Sequence, residues 1–484
     1  MNYKMIGRFL ALIAALEAVF LLPALAISLG YGETKAAGAM AMSLGIMMAV
    51  AALLGLLCRR AGKRFSAKEG MVCVGLGWIT LSLLGSLPFV LSGEIPRFID
   101  AFFEIVSGFT TTGASILPNV EVMSKGLFYW RSFSHWVGGM GVLVFLLAVT
   151  PSDAQGKGFT MHILRAESPG PDVGKLVPRM KNTAIILYGI YLALTVLDML
   201  FLLAGGMSLF EAVCTAFGTA GTGGFGVKAD SIASYSPYIQ NVTTVFMFLF
   251  GVNFSCWYLA LLGNIKSVLR DEELRLYVGL AVTVAALIVL DVRHLYGSLG
   301  ETIRHAAFQV SSIMTTTGFA TTDFDLWPMF SKTLLMVLMI VGACAGSTGG
   351  GLKVARLLLL LKSLGRNIRQ VMNPKKVQVI RNSGRTVSET VLDNTNAYLA
   401  AYAVILVLSF AAVSLDGFSV GTNLSAVLAC FNNIGPGIEA VGPVCSYAGF
   451  SDLSKIVLIF DMLAGRLEIF PMLILFAPGT WKRR

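Results

Sequence analysis

The chain has 484 residues, of which 56% are hydrophobic and 13% charged, with a formal net charge of +10 and a mean hydropathy of +0.75. That balance excludes an ordinary soluble enzyme and indicates a polytopic membrane protein. The basic residues are dispersed between apolar runs rather than gathered in one stripe, which argues against a nucleic-acid partner and makes them reporters of topology.

The first apolar run covers about 6–30, behind Lys4 and Arg8. A signal peptide would have an apolar core of about 7–15 residues, so this run reads as a retained helix. A second run, about 37–58, stops at the basic cluster Arg59-Arg60-Ala61-Gly62-Lys63-Arg64, the mark of a cytoplasmic loop. Residues 1–69 are therefore expected to form an N-terminal helix pair.

From there one pattern recurs four times: long apolar helix, short apolar helix, glycine turn, long apolar helix. The expected units are 70–155, 156–265, 266–390 and 391–484. The first has helices at 70–93, 98–110 and 127–149 around Gly113, and the second at 182–204, 208–218 and 238–262 around Gly223. The third has 275–291, 299–314 and 328–361 around Gly318, and the fourth 394–415, 420–431 and 453–477 around Gly435. Internal repetition at this spacing is the main organisational fact, and it predicts ten spanning helices with four re-entrant ones.

Ser208-Leu209-Phe210-Glu211 and Ser298-Leu299-Gly300-Glu301 fit the capping box, and Ser419 stands at the matching place in the fourth unit. Lys and Arg crowd 59–68, 157–181, 266–275, 362–385 and 482–484, whereas few lie beside the glycine turns. The positive-inside rule then puts both termini in the cytoplasm and every turn on the outer side. Cys58, Cys73, Cys214, Cys256, Cys344, Cys430 and Cys445 fall mostly in apolar segments and read as small buried hydrophobes. His135, His162, His294 and His305 form no ligand pair, and no hydrolase, phosphate-loop or zinc motif is present. No cofactor is expected.

The turns carry the functional reading. Thr315-Thr316-Thr317-Gly318-Phe319 resembles Thr110-Thr111-Thr112-Gly113-Ala114-Ser115, more loosely Gly221-Thr222-Gly223-Gly224-Phe225, and most distantly Asn432-Asn433-Ile434-Gly435-Pro436-Gly437. Bare backbone amides at membrane depth must line protein or water, since hydrocarbon cannot satisfy them. A short helix that dips in and stops aims the negative end of its dipole inward, which suits a cation. Four such turns about one axis would replace the hydration shell of a monovalent ion with carbonyl oxygens. In the second copy the register falls on Gly223 or a neighbour.

Two further stretches stand out. Gly342-Ala343-Cys344-Ala345-Gly346-Ser347-Thr348-Gly349-Gly350-Gly351 interrupts the last helix of the third unit near mid-membrane. Each glycine there costs about 1 kcal/mol of helix propensity against Ala, so a break lining the pore is expected, with a close helix contact as the other reading. Arg466 is a charge inside the last spanning helix, facing either a polar cavity or a buried ion partner.

Together these residues resemble the Trk/Ktr/HKT superfamily of potassium transporters. The likeness rests on Thr112-Gly113-Ala114-Ser115, Gly223-Gly224-Phe225, Thr317-Gly318-Phe319-Ala320-Thr321-Thr322-Asp323-Phe324 and Asn432-Asn433-Ile434-Gly435-Pro436-Gly437, and covers nearly the whole chain. It implies an all-α polytopic protein of the bacterial inner membrane, with four fused helix–pore loop–helix repeats around a pseudo-fourfold pore and an N-terminal helix pair, working as a homodimer in membrane lipid. The selectivity filter would comprise Thr111, Thr112 and Gly113; Ala220, Gly221, Thr222 and Gly223; Thr316, Thr317 and Gly318; and Asn433, Ile434 and Gly435. Gly113 implies potassium as the substrate. The gate would be Gly346, Ser347, Thr348, Gly349, Gly350 and Gly351, contacted by Arg466 as an electrostatic barrier below the filter. The family also implies a TrkA-type cytosolic nucleotide-binding ring as regulator. The rival readings are a proton- or sodium-coupled symporter, which would call for acidic residues in the spans beyond Glu17, Asp198, Asp291, Asp461 and Glu468, and a membrane-embedded enzyme, which would call for clustered His, Asp or Cys.

Overall fold

The computed structural model describes residues 1–59, 66–141, 180–376 and 378–481. The basic clusters at 60–64, 157–179 and 482–484, the boundary at 155/156 and the first unit's last helix beyond 141 lie outside the described residues. The fold is all-α. Its described sheet is one short hairpin, Arg381–Asn382 paired antiparallel with Arg385–Thr386.

The leading pair, Tyr3–Gly30 and Thr34–Leu57, pack on each other and dock on the first repeat. The Glu33 carboxylate there accepts hydrogen bonds from the Lys125 and Gly126 amides at 2.6 and 3.1 Å. A carboxylate on the free amides of a helix start satisfies orphan donors and complements the dipole.

Each repeat then sets out a leading helix, a short helix and a trailing helix. The leading helices are Ala67–Gly85 (continued by Leu87–Ser92), Met180–Ala204, Glu272–Val292 and Glu389–Val413. The short helices, Phe98–Phe109, Leu209–Gly221, Leu299–Met314 and Val420–Phe431, follow the expected ranges closely. They occupy the centre, with Ile105, Val106, Ala216, Ile313 and Val427 fully buried. The leading helices turn apolar side chains outward instead, Leu290 at 74% and Leu408 at 65% exposure, the distribution a lipid surround requires.

The trailing helices are broken in three repeats, as expected in the third and against the expectation of continuous spans in the second and fourth. Among the described residues six helices are long and apolar enough to cross a membrane, or seven if one bent pair counts as a span. In the second repeat Pro237–Phe250 bends by 93° into Phe254–Leu261. In the third, Met329–Val341 is separated from Val354–Met372, and in the fourth Asp452–Arg466 from Phe470–Phe476. The physical reason is the same at three of the four places. A β-carbon on Gly138 would overlap the Phe109 carbonyl and one on Gly465 the Phe431 carbonyl, while one on Gly251 would overlap the Tyr277 hydroxyl and meet the Thr315 methyl at 2.8 Å. The trailing helices thus break where glycine lets them press on the ends of short helices.

The expected caps are present to different degrees. Ser208 and Glu211 form a complete reciprocal box, whereas Ser298 accepts from the Glu301 amide at 3.2 Å and Ser419 from the Thr422 amide at 3.1 Å. The first short helix starts at Arg97 without a side-chain cap. In the fourth repeat Glu439, distant in sequence, adds its carboxylate to the cap, accepting from the Ser419 hydroxyl and from the Thr422 amide and hydroxyl at 3.2 and 3.1 Å. The Ser419 and Thr422 hydrogen bonds hold its carboxyl below the usual carboxylate range. A depressed carboxylate contributes stability above its unfolded value, about 4.3, and loses it as pH falls through the folded value. Glu439→Gln is therefore expected to cost a few tenths of a kcal/mol at neutral pH, roughly the exposed-pair range, because solvent screens the exposed carboxylate. Thermal unfolding in detergent across pH should show that deficit closing below the ordinary carboxylate range.

Candidate functional site

Each short helix ends in the same backbone manoeuvre. A residue at the helix cap, or one past it, turns left-handed: Thr111 at φ 55°, Thr222 at 54°, Thr316 at 58° and Asn433 at 56°. The next amide, of Thr112, Gly223, Thr317 or Ile434, donates to the carbonyl five residues back, at 2.8 Å in all four copies. This is a Schellman-type end, which satisfies helix carbonyls that would otherwise be bare. Two residues past the left-handed position comes a glycine with positive φ: Gly113 at 82°, Gly224 at 72°, Gly318 at 84° and Gly435 at 96°.

This register corrects the second copy. Gly224, not Gly223, is the partner of Gly113, Gly318 and Gly435, while Gly223 stands with Thr112, Thr317 and Ile434. Ala220 and Gly221 fall in the last turn of the helix Leu209–Gly221, opposite Phe109 and Thr110. Two adjacent glycines look alike in a sequence; the left-handed backbone at Thr222 decides between them.

The four turns meet in a ring. A β-carbon on Gly113 would overlap the Gly223 carbonyl oxygen, one on Gly224 that of Thr317, one on Gly318 that of Ile434, and one on Gly435 would lie 2.7 Å from that of Thr112. Each glycine therefore leaves room for the carbonyl preceding the equivalent glycine of the next repeat, and the fourth closes on the first. The short-helix carbonyl ends converge on the same place, adding the negative ends of four dipoles. On the other side the ring opens into a cavity of about 350 Å³ that all four glycines line.

Side chains brace the ring unequally. Behind the first turn, the buried Glu104 carboxylate accepts from Arg131 Nε at 2.6 Å, the Ser115 hydroxyl at 2.9 Å and the Ile116 amide at 2.8 Å. The Arg131 guanidinium in turn lies 3.4 Å from the Phe225 ring centre. His135 stacks on Phe225 at 4.0 Å and fills the space beside Gly223. Asn433 Nδ2 joins the fourth turn to the first, donating to Thr112 Oγ1 at 3.0 Å and to the Met462 carbonyl at 2.9 Å. The Tyr447 hydroxyl donates to the Gly435 carbonyl at 2.7 Å.

On the side away from the cavity, residues 342–353 leave the helical path between Val341 and Val354 and pack directly under two of the turns. A β-carbon on Gly350 would overlap the Asn432 carbonyl, and one on Gly349 would lie 2.8 Å from that of Thr315. The Gly350 amide donates to Thr316 Oγ1 at 2.6 Å. Two cations hold the loop by its carbonyls: Lys353, at φ 74°, donates to Gly349, and Arg466 donates to Thr348 at 2.9 Å. Arg466 also donates to the Gly138 carbonyl and, at 2.7 Å, to that of Gly139. Glu468, two residues on, pairs instead with Arg356 just beyond the loop. Gly346, Ser347 and Gly351 belong to the same loop; the Gly346 carbonyl accepts from the Phe254 amide at 3.0 Å and the Ser347 hydroxyl donates to Cys344 at 2.6 Å.

Sequence reasoning passed over Glu104 and Arg131, 27 residues apart on different helices, because no local spacing marks such a pair. Lys353 offered a weak signal as the charge closing a glycine run. Among the described residues no group of His, Cys, Asp or Glu could hold a metal ion.

Comparison with known proteins places this geometry. The family model described as TrkH, cation transport protein, matches residues 39–482. The chain is 35% identical to the Trk system potassium uptake protein TrkH of Salmonella typhimurium and to that of Escherichia coli K12, each over 490 residues covering 100% of both chains. It is similar over 100% of both chains to the crystal structure of the potassium transporter TrkH from Vibrio parahaemolyticus, with a TM-score of 0.89 and 32% identity.

Two predictions come from this geometry. Gly224→Ala meets backbone, the Thr317 carbonyl, whereas Gly223→Ala meets the His135 ring. Apparent melting in detergent should fall in both single variants and recover in Gly223→Ala/His135→Ala, while Gly224→Ala should have no side-chain rescue. Glu104→Gln leaves Arg131 buried without its counter-charge, a change that costs about 3–5 kcal/mol; the same melting assay should register it as one of the most damaging isosteric changes in the chain.

Proposed function

This chain belongs to the TrkH family of cation transport proteins, and from that premise we propose that it takes up potassium through the ring of turn carbonyls. The observation that carries the reading is the cyclic packing in which each turn glycine makes room for the next repeat's carbonyl. A potassium ion entering the 350 Å³ cavity would exchange water for these oxygens, and the convergent helix ends would stabilise its charge.

In this reading the filter consists of Thr111, Thr112 and Gly113; Thr222, Gly223 and Gly224; Thr316, Thr317 and Gly318; and Asn433, Ile434 and Gly435. The loop 342–353 is the gate, and its carbonyl contacts to Arg466 and Lys353 support a closed arrangement. In this reading both cations, held under the turns by loop carbonyls, would repel a permeating ion until the loop moves. The distribution of Lys and Arg supports an inner-membrane orientation with both termini cytoplasmic. Relatives of this length are named as proteins of the Trk system. The family resemblance extends the proposal to a homodimer and a TrkA-type nucleotide-binding ring on the cytoplasmic face.

Coupled symport is the second reading, favoured by the burial of Glu17, Asp198 and Asp461 within or against the spans. None of the three lines the cavity at the ring.

Rubidium and sodium uptake into proteoliposomes tests the proposal. Wild type should favour rubidium. Gly113→Ser should narrow that preference by roughly tenfold, the effect of about 1.4 kcal/mol; unchanged selectivity would remove this turn from the filter. Arg466→Ala and a shortened 343–351 loop should each raise flux, and wild-type rates from both would sink the gate. Flux that follows an imposed proton gradient, lost in Asp198→Asn, would favour symport.

A further inference from the structure

The helix beyond the glycine-rich loop carries features that a conduction path does not use. Val354–Met372 begins among buried residues, Val354, Ala355 and Leu359, and then emerges with two faces. Leu361, Leu364, Ile368 and Val371 recur at helical spacing and are 51–82% exposed. Lys362, Arg366 and Arg369 occupy the adjoining face. An apolar stripe beside a basic face sets a helix at the level where acyl chains meet headgroups.

The basic face is one wall of a cavity of about 410 Å³, and Lys376 and Arg381 lie on the opposite wall. That wall is fixed in place. Lys362 donates to the Arg381 carbonyl at 2.7 Å, Glu272 accepts from the Ser383 amide at 3.1 Å, and the hairpin register sets Arg381 against Thr386. Five cationic side chains therefore surround one volume, and among the described residues no carboxylate lines it. Lys362 is paired with Glu272, and Arg366 with Glu389 at 2.6 Å. Arg369, Lys376 and Arg381 have no carboxylate partner among the described residues, leaving three unbalanced charges. Like charges held together raise the energy of the empty cavity, and guanidinium forks match phosphate oxygens in geometry.

We propose that this cavity binds the phosphate of an anionic phospholipid headgroup, with the acyl chains lying along the exposed stripe of Leu361, Leu364, Ile368 and Val371. A free phosphate or a nucleotide would present the same anion, but neither would cover that stripe. A phospholipid matches both faces of the helix at once, phosphate in the cavity and acyl chains on the stripe.

The test is native mass spectrometry of the purified full-length protein, supplied in mixed micelles with phosphatidylglycerol and phosphatidylcholine. Wild type is expected to retain phosphatidylglycerol selectively. Arg369→Ala/Lys376→Ala/Arg381→Ala should lose that selectivity by roughly tenfold or more, while staying monodisperse because no ion pair is broken. Arg369→Lys/Arg381→Lys should keep part of it, and Glu389→Gln, which frees Arg366, should strengthen it. Equal phosphatidylglycerol retention by the triple alanine variant and wild type would overturn the site. Displacement of the lipid by inorganic phosphate or ATP at matched concentration would overturn the lipid as its occupant and assign the cavity to a free phosphate ligand.

Discussion

The carbonyl oxygen before each turn glycine occupies the volume that a β-carbon would need on the equivalent glycine of the neighbouring repeat. This exclusion runs in one direction around the ring and closes on itself, so no turn can shift outward alone without opening a gap beside its neighbour. Steric contact of backbone on backbone is stiff in a way that side-chain packing is not, because no rotamer change relieves it. Backbone contact thus sets where each of the four oxygens can lie against its neighbour, and side chains such as Asn433 and Tyr447 add to it. The left-handed residues that start the turns are three threonines and an asparagine, conformations that cost such residues about 1–2 kcal/mol each. Only a surrounding fold that fixes the helix ends could sustain four of them.

The same constraint explains the trailing helices. They press glycines against short-helix ends at Gly138, Gly251 and Gly465, and a helix so indented bends or stops. In the second and fourth repeats the break is short. In the third it widens to the segment 342–353, whose amides and carbonyls find partners in Thr316, Gly251, Lys353 and Arg466. Nonhelical backbone at this depth persists only when it is satisfied in this way. The two cations are held chiefly by carbonyl dipoles of the loop, contacts that a modest displacement of the loop would loosen together.

Much of this was legible in the residues. The four repeats, the short-helix ranges and the break after Val341 follow from hydropathy, turn residues and glycine placement, which are local signals. What escaped is nonlocal. The choice between Gly223 and Gly224 depends on a backbone angle at Thr222, and both glycines are needed for different reasons: one for the Thr317 carbonyl, the other for the His135 ring. The breaks after Phe250 and Arg466 were read as continuous spans, because the apolar character of 238–262 and 453–477 persists through them and reports burial, not direction. Glu104 and Arg131 meet only after the first short and trailing helices pack.

All four quadrants of the ring are written into a single polypeptide, and their chemistry has diverged: Thr110 and Thr315 bond to hydroxyls within their own turns, Asn433 reaches across to Thr112, and Tyr447 steadies Gly435 alone. In an assembly of identical subunits, a codon change alters every quadrant at once. Here it alters one turn in four, so the ring can diverge in quarter steps, and under the proposed gating role the segment 342–353 can change in one quadrant without the same change in the other three.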